Sequence, residues 1–258
     1  MKNNPLKYFY SFAFVCSMIL TSIYISIVAI LLLLFSFKTR YYFLNFYSRF
    51  NLWVLKVFCS IDYKIEGAEN IIRNEGFIIM SKHQSALETM LVQRIFPPLT
   101  FVVKRELIWI PFFGWGLKSM DPIAIDRSAG RRAIVHIVKQ GIDRLNKGIC
   151  IVIYPEGTRS RPGTKRRYKL GGAILAEKSG RKVIPVAHTC GEFWPKGFVA
   201  RQSGTMRMVI GPAIETQNKT AAQINQEAEL WIETKMKEIS TLESYPKPED
   251  PPFEPDRT

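Results

Sequence analysis

The longest uncharged stretch of the chain limits what its N-terminal region can fold into. No charged residue occurs from Tyr8 to Phe37, a run of 30 positions that includes "IVAILLLLF". About 20 apolar residues in a helix are enough to cross the hydrocarbon core of a bilayer. A signal peptide would have a shorter apolar region and a small-residue cleavage site, whereas "FSFKTR" follows here. The stretch therefore predicts a helix that anchors the chain in a membrane.

An aromatic segment follows the apolar run. Residues 41–60 interleave Arg49 and Lys56 with aromatic rings, which is typical of a helix at the lipid–water boundary but also of an ordinary domain helix. We expect residues 1–60 to form the membrane anchor and interfacial helical segment, as one span, two helices or a hairpin in one leaflet. Basic residues are more frequent after the apolar run than before it. The positive-inside rule then predicts that the main domain faces the cytoplasm.

Strands and helices alternate beyond residue 60. Apolar runs predict strands, and apolar residues at helical spacing predict helices; the strands are 77–81, 100–104, 122–126, 149–154, 182–187 and 205–210, and the helices lie near 85–95, 128–148, 171–179 and 220–240. This alternation predicts an α/β domain at 61–240, with its sheet covered on both faces. The last 14 residues contain five prolines and almost no apolar side chain, so we expect 241–258 to be a disordered tail.

The net charge of +14 favours anionic partners, which include nucleic acid, phospholipid surfaces and phosphorylated substrates. From residue 100 to 170 there are 15 Lys or Arg against 5 Asp or Glu. Most of the excess charge therefore surrounds predicted strand ends, where sheets of this class place their sites. The four cysteines lack zinc spacing, and the chain has neither a phosphate-binding G-x-x-x-x-G-K-[ST] loop nor a G-x-S-x-G elbow. These absences disfavour a zinc site, a nucleotide hydrolase and a serine hydrolase.

The stretch "SKHQSALETM", residues 81–90, contains a candidate catalytic pair. His83 follows a predicted strand and has a ring suited to general-base catalysis near neutral pH. Glu88 lies five positions later, which on one helix would leave the pair about 140° apart around the axis. The two side chains can meet if His83 lies in the turn before the helix. Alternatively, Ser85 and Glu88 form a capping box, a role that is compatible with holding His83.

Two further stretches at strand ends carry cations. "YPEGTRS", residues 154–160, presents Arg159, whose planar fork suits a phosphate, although a solvated surface turn would look the same. "KRELIWIPFFGWGL", residues 104–117, leads from Lys104 and Arg105 into an aromatic run. That run predicts either a buried core segment or a surface that receives acyl chains or contacts lipid. We assign no site role to His136, and we treat His188, at a predicted strand end, as a secondary site candidate.

These blocks, taken in order, resemble the glycerolipid acyltransferases, specifically the bacterial lysophosphatidate acyltransferase type. Over about residues 65–215, the segment from His83 to Glu88 is similar to the family's His-x4-Asp block. "KRELIWIPFFGWGL" with "IAIDR", then "PEGTRS", then "VIPVA" are similar to the second, third and fourth blocks. The resemblance implies a catalytic domain with a mixed central sheet flanked by helices. The family usually has aspartate where this chain has Glu88.

The resemblance also implies roles for individual residues. His83 would take the proton from the sn-2 hydroxyl of lysophosphatidic acid, and Glu88 would orient it. The remaining implied residues concern the substrate phosphate: Lys104, Arg105 and Arg159 would hold it, while Glu156, Gly157 and Thr158 would shape its pocket. Backbone amides near His83 or Gly157 would stabilise the oxyanion.

The implied reaction uses acyl-CoA or acyl carrier protein as the donor and yields phosphatidic acid for phospholipid biosynthesis. It needs no bound cofactor or metal, and the implied partners are membrane phospholipid and these substrates, without nucleic acid. Two alternatives stay open. One is acylation of another lysophospholipid or a lyso-aminolipid, and the other is a non-catalytic, membrane-tethered basic protein that binds lipid or nucleic acid.

Overall fold

A seven-stranded sheet with helices on both faces forms the body of the protein. The computed structural model describes residues 5–197, 202–243, 245 and 246. In chain order the helices and strands are α1 (Pro5–Leu31), α2 (Phe37–Cys59), β1 (Ile61–Glu66), β2 (Ile78–Ser81), α3 (Leu87–Ile95), β3 (Leu99–Lys104), α4 (Phe113–Lys118), β4 (Ile123–Ile125), α5 (Arg131–Asn146), β5 (Cys150–Ile153), α6 (Gly171–Ser179), β6 (Val183–His188), α7 (Cys190–Phe193), β7 (Gly204–Ile210) and α8 (Ala221–Ile239). Short 3-10 turns lie at Leu32–Leu34, Ala68–Asn70, Arg105–Trp109 and Arg127–Ala129.

The sheet is mixed, which confirms the predicted fold class. The strand order is β1-β7-β6-β2-β5-β3-β4, and only the β6–β7 pair among these strands is antiparallel. All six predicted strands are present. β1 was not predicted, because its sequence "IDYKIE" is half polar and lies at the sheet edge, where most of its side chains stay partly exposed. A partly exposed edge strand needs fewer apolar side chains than a central strand, so its hydrophobic pattern is weak.

The core lies on both faces of the sheet, as the continuous apolar strands predict. All four residues of β5 are buried, and successive side chains point to opposite faces. Val152 joins the cluster that includes Leu55 of α2 and Leu91 of α3. Its neighbour Ile151 joins the opposite cluster, formed with residues of α6 and α8 such as Leu175 and Ile232. The two layers fix the position of the strand ends between them.

Two separate helices form the N-terminal region. The segment Tyr8–Leu34 is long and apolar enough to cross a membrane, with a hydropathy of 2.5. α2 runs back along α1, since Ser17 bonds to Asn51 at 3.3 Å while Cys59, at the far end of α2, approaches the Tyr10 carbonyl. One face of α1 also packs on the body, where the Phe14 ring lies 4.9 Å from that of Trp194. The other face exposes apolar side chains, as expected for a membrane anchor.

The packed part of the chain extends past residue 240. Glu192 accepts hydrogen bonds from the Ser240 hydroxyl and from both the amide and hydroxyl of Thr241. The Tyr245 hydroxyl donates to Glu233 at 2.5 Å. The predicted disordered tail, 241–258, therefore begins with packed residues, and positions 244 and 247–258 lie outside the described residues.

Candidate active site

Five parallel strands end at one edge of the sheet, and the candidate residues follow three of them. The neighbouring strands β6, β2, β5, β3 and β4 are parallel, so their carboxyl ends share this edge. His83 follows β2, the 154–160 loop follows β5, and Lys104 ends β3. The fold thus groups segments that are up to 77 positions apart in the chain.

His83 and Glu88 meet in the arrangement that the sequence requires for contact. His83 lies in the turn between β2 and α3, and its Nδ1 is 2.8 Å from Oε1 of Glu88. The same oxygen accepts from the backbone N–H of Gln84 at 3.0 Å and of Ser85 at 2.9 Å. The Ser85 hydroxyl in turn accepts from the N–H of Leu87. The orienting role and the helix-start role of Glu88 therefore coexist.

The Glu88 carboxylate fixes the tautomer of the neutral His83 ring. Burial alone would raise the pKa of the Glu88 carboxyl, but the imidazoles of His188 and His83 and the Ser85 N–H hold it below its ordinary value. An ionised carboxylate only accepts hydrogen bonds, so the proton lies on Nδ1 of His83 and Nε2 is available as a base. The Tyr154 ring stacks on His83 at 4.0 Å and fixes its plane. The His83 side chain is 16% exposed, so a substrate can reach it.

A buried lysine supports the His83 backbone, and sequence reasoning missed it. Lys82 has no exposed surface, and its Nζ lies 2.7 Å from Glu156 and 2.9 Å from Glu233. Glu156 uses its other oxygen to accept from the N–H of His83 at 3.0 Å and from the Ser160 hydroxyl. A lysine at the end of an apolar strand was the available signal, since such a cation needs a partner. Glu156 is thus buried and holds the His83 backbone through a hydrogen bond.

The 154–160 loop is attached directly to His83. The N–H of Ser160 donates to the His83 carbonyl at 2.7 Å. Gly157 has a φ of +74°, and a Cβ at this position would lie 2.9 Å from Nζ of Lys169. Arg159 is exposed and has no hydrogen-bond or ion-pair partner among the residues that the structure describes. The loop therefore presents an uncommitted guanidinium next to the His83 backbone, with Thr158 half-exposed beside it.

The other two predicted cations lie one strand further along. Lys104 is exposed and lies 3.9 Å from Glu106. The Arg105 guanidinium donates to Asp126 at 3.2 Å and also borders a separate cleft. β5 lies between β2 and β3, so these two cations are near the edge of the site rather than against His83. Of the two, Arg105 makes the closer ion pair, at 3.2 Å against 3.9 Å for Lys104.

The aromatic run after Lys104 is on the surface, so the buried-core alternative for it is wrong. Trp109 is 78% exposed, and Ile110, Phe113 and Trp115 are also exposed. Gly116 allows α4 to approach α1 closely, because a Cβ there would lie 2.7 Å from the Ser26 hydroxyl oxygen. The segment that carries the run is therefore packed against α1.

Three buried groups, one of which is Glu88 of the pair, form a candidate cluster of metal ligands. Glu88, His188 and Cys190 each place one ligand atom within 4.8 Å of the others. Both His188 nitrogens are used, since Nδ1 accepts from the Cys190 N–H at 3.3 Å and Nε2 lies 2.8 Å from the Lys82 carbonyl. Burial lowers the pKa of His188 and raises that of the Cys190 thiol. His188 and Cys190 are therefore neutral groups that pack behind the ionised Glu88.

Comparisons with known proteins give sequence relatives of this chain. The Acyltransferase family model matches residues 62–189. A 1-acyl-sn-glycerol-3-phosphate acyltransferase of Pseudomonas aeruginosa is 42% identical over 219 residues, covering 82% of this chain and 85% of the relative. One from Saccharomyces cerevisiae is 31% identical, covering 68% of this chain and 59% of the relative.

A solved structure shares the fold. The crystal structure of the 1-acyl-sn-glycerophosphate acyltransferase of Thermotoga maritima matches with a TM-score of 0.78 at 20% identity, covering 92% of this chain and 98% of that one. At this identity the likeness concerns the fold alone. Together with the sequence relatives, it leads to one conclusion: the chain is an enzyme of the acyltransferase family whose members include the 1-acyl-sn-glycerol-3-phosphate acyltransferases.

Proposed function

We propose that this enzyme transfers a fatty acyl group from an acyl thioester to the sn-2 hydroxyl of lysophosphatidic acid, giving phosphatidic acid for phospholipid biosynthesis. The observation that carries the proposal is the 2.8 Å contact between Nδ1 of His83 and Glu88 in a partly open site. The names of the relatives supply the acceptor, since they are 1-acyl-sn-glycerol-3-phosphate acyltransferases.

His83 is the general base of the proposed reaction. Its Nε2 takes the proton of the sn-2 hydroxyl as the oxygen attacks the thioester carbonyl carbon. The carbon–sulfur bond then breaks, and the imidazolium returns its proton to the leaving thiolate. Glu88 keeps the proton of the resting ring on Nδ1 and stabilises the imidazolium. No covalent enzyme intermediate is required, because the substrate hydroxyl is the nucleophile.

The oxyanion of this reaction needs N–H donors that are not already used. The sequence suggested backbone amides near His83 or Gly157. The N–H groups of His83 and Gly157 themselves donate to Glu156 and to the Tyr154 carbonyl. Within the described part of the chain, the N–H groups of Thr158 and Arg159 have no partner. We assign the oxyanion role to these two, since the loop that carries them is bonded to His83.

Arg159 is the main phosphate ligand in this proposal. It is exposed, uncommitted within the described residues, and adjacent to Ser160, which bonds to the His83 carbonyl. A guanidinium suits a phosphate because it offers two parallel N–H donors. Lys104 and Arg105 contribute further positive charge, and Glu156, Gly157 and Thr158 shape the loop. The acyl donor is acyl-CoA or acyl carrier protein, and no bound cofactor takes part.

A membrane location suits both lipid substrates. The exposed run at Trp109–Trp115 belongs to a segment packed against α1, and α1 exposes apolar side chains on its other face. Lipid contact there would bring the acyl chains of acceptor and product to the edge that carries His83. The excess of cations after the apolar segment supports a cytoplasmic orientation at the inner membrane.

The proposal is tested with purified full-length protein, lysophosphatidic acid and acyl-CoA. His83→Ala should lose nearly all turnover while keeping its thermal transition. Arg159→Ala should raise the KM for lysophosphatidic acid about tenfold or more, as loss of one charged hydrogen bond predicts, and change the donor KM little. Arg161→Ala, a nearby exposed cation, is the matched control and should change neither KM.

Three results would contradict the proposal. Retained turnover in His83→Ala would reject His83 as the general base. Faster use of another lysophospholipid or a lyso-aminolipid by the wild-type enzyme would assign a different acceptor. Equal effects of Arg159→Ala on both substrates would remove the phosphate role of Arg159.

A further inference from the structure

A cleft opens at the same sheet edge, away from His83. It has a volume of about 210 Å³ and lies between the end of β4, the following 3-10 turn and the first turns of α5. Arg105, Arg132 and His136 form its polar rim, and Ile125, Ala129 and Ala133 are among its apolar lining. Sequence reasoning gave His136 no site role, because its position in a helix carries no functional signal.

The chemistry of this cleft suits a phosphorylated aromatic ring. Small apolar side chains leave room for the flat face of a base, and the rim offers two guanidinium groups and an imidazole to phosphates. Asp126 is the one carboxylate among the lining residues. Its oxygens already accept from Arg105 and from the amide and hydroxyl of Ser128. The cleft therefore retains positive character.

The position of the cleft relative to His83 matches the length of a pantetheine arm. In the sheet order, β4 lies three strands from β2, which is roughly 14 Å at the usual strand spacing. The chain from the sulfur of coenzyme A to its first phosphate ester oxygen has the contour of about four peptide residues, roughly 14 Å when extended. The pantetheine arm of a thioester at His83 is therefore long enough to reach this cleft.

We infer that the cleft binds the phosphorylated adenosine end of coenzyme A during acyl transfer. This inference rests on the proposed function for the thioester donor, and it goes further by selecting coenzyme A and the residues that hold it. Arg132 and His136 hold the phosphates, while Ile125, Ala129 and Ala133 support the base. Arg105 lies between this cleft and the acceptor site.

Two donors with the same acyl chain test the inference in full-length enzyme. One is acyl-CoA, and the other is acyl-pantetheine, which lacks the nucleotide. Arg132→Gln should raise the KM for acyl-CoA about tenfold, as loss of a charged hydrogen bond predicts, and leave kcat/KM for acyl-pantetheine unchanged. Lys139→Gln removes an exposed cation from the same helix outside the cleft and should change neither value.

A binding measurement separates failure of the inference from failure of the proposed function. Calorimetric titration of the intact enzyme with coenzyme A needs no turnover, and Arg132→Gln should weaken binding about tenfold while Lys139→Gln does not. If lysophosphatidic acid is not acylated but this difference persists, the cleft stands and only the proposed acceptor falls.

Other results would overturn the inference. One is an equal effect of Arg132→Gln and Lys139→Gln on coenzyme A binding. Another is an equal effect of Arg132→Gln on acyl-CoA and acyl-pantetheine, and a third is the same wild-type KM for these two thioesters. An increase in KM for acyl carrier protein alone would assign the cleft to an acidic protein and would also reject our assignment.

Discussion

Replacing Glu88 with glutamine separates its two coexisting roles. One oxygen of Glu88 accepts three hydrogen bonds, from Nδ1 of His83 and from the backbone N–H groups of Gln84 and Ser85. Glutamine has a side chain of the same length, so it keeps a carbonyl oxygen for these donors but removes the charge. The substitution should therefore preserve much of the helix start while impairing the support of an imidazolium at His83.

The expected loss of stability follows from these contacts. Hydrogen bonds to a charged acceptor contribute about 1 kcal/mol more than neutral ones, and three are affected. Removing a fully buried charge offsets part of that loss. The second carboxylate oxygen is buried without a hydrogen-bond partner among the described residues, so the new NH₂ group adds a small cost. We expect Glu88→Gln to lower the free energy of unfolding by about 2–3 kcal/mol.

The expected loss of activity is larger. A histidine base that loses its carboxylate partner commonly loses on the order of 10³–10⁴ in kcat, which is about 4–5.5 kcal/mol at about 1.4 kcal/mol per decade. The assay measures kcat for lysophosphatidic acid acylation at a temperature where circular dichroism shows the variant folded. Urea unfolding of the same samples gives the stability.

Ser85→Ala is the matched control, because it removes a helix-start contact and leaves the carboxylate. Its hydroxyl accepts from the Leu87 N–H at 3.1 Å, and losing such a contact costs about 1 kcal/mol. We expect kcat to stay within a few-fold of wild type. The reasoning fails if Glu88→Gln retains more than a tenth of wild-type kcat, or if Ser85→Ala reduces kcat as strongly as Glu88→Gln does.

Three further predictions concern the surroundings of the pair. Lys82→Met removes a fully buried cation from Glu156, whose pKa is already raised by burial; we expect a loss of about 3–5 kcal/mol in urea unfolding, and a loss below 1 kcal/mol would refute the network. Gly157→Ala places a Cβ against Lys169 at a φ of +74°, so it should lower activity and reduce the free energy of unfolding by about 1–2 kcal/mol. Gly180→Ala, at a φ of +65° with open space, should reduce the free energy of unfolding by a similar amount and keep full activity. Burial lowers the pKa of His188 from 6.5, so below about pH 6.5 the unfolded chain binds a proton that the folded protein does not, and stability should fall as pH drops; His188→Gln should flatten this slope in pH-dependent unfolding, and an unchanged slope would contradict it.

Much of the fold could be predicted from the sequence because the signals are local. The strands at Ile78–Ser81 and Cys150–Ile153 are short apolar runs whose residues must be buried on both faces. The missed strand, Ile61–Glu66, lies at the sheet edge and is partly exposed, so its pattern resembles that of a polar loop. Helix α5 begins at Arg131 rather than near Ser128, because Ser128 lies in a 3-10 turn capped by Asp126.

The candidate pair was also within reach of local reasoning. His83 and Glu88 are five residues apart, and the geometry of one turn followed by one helix decides whether they meet. The orientation of the aromatic run was not within reach. Its composition fits a core segment equally well, and the exposure of Trp109 follows from what packs beside it.

The sequence by itself determined six of the seven strands, the long apolar segment and the residues that follow each predicted strand. Only the tertiary structure decided which distant groups meet at the sheet edge. The contact of Lys82 with Glu156 and Glu233 joins residues up to 151 positions apart, and the pairing of Arg105 with Asp126 depends on the neighbouring ends of β3 and β4. The physical reason is that hydrophobic periodicity encodes which side of a strand or helix is buried, whereas the partner of a buried charge depends on strand order across the sheet.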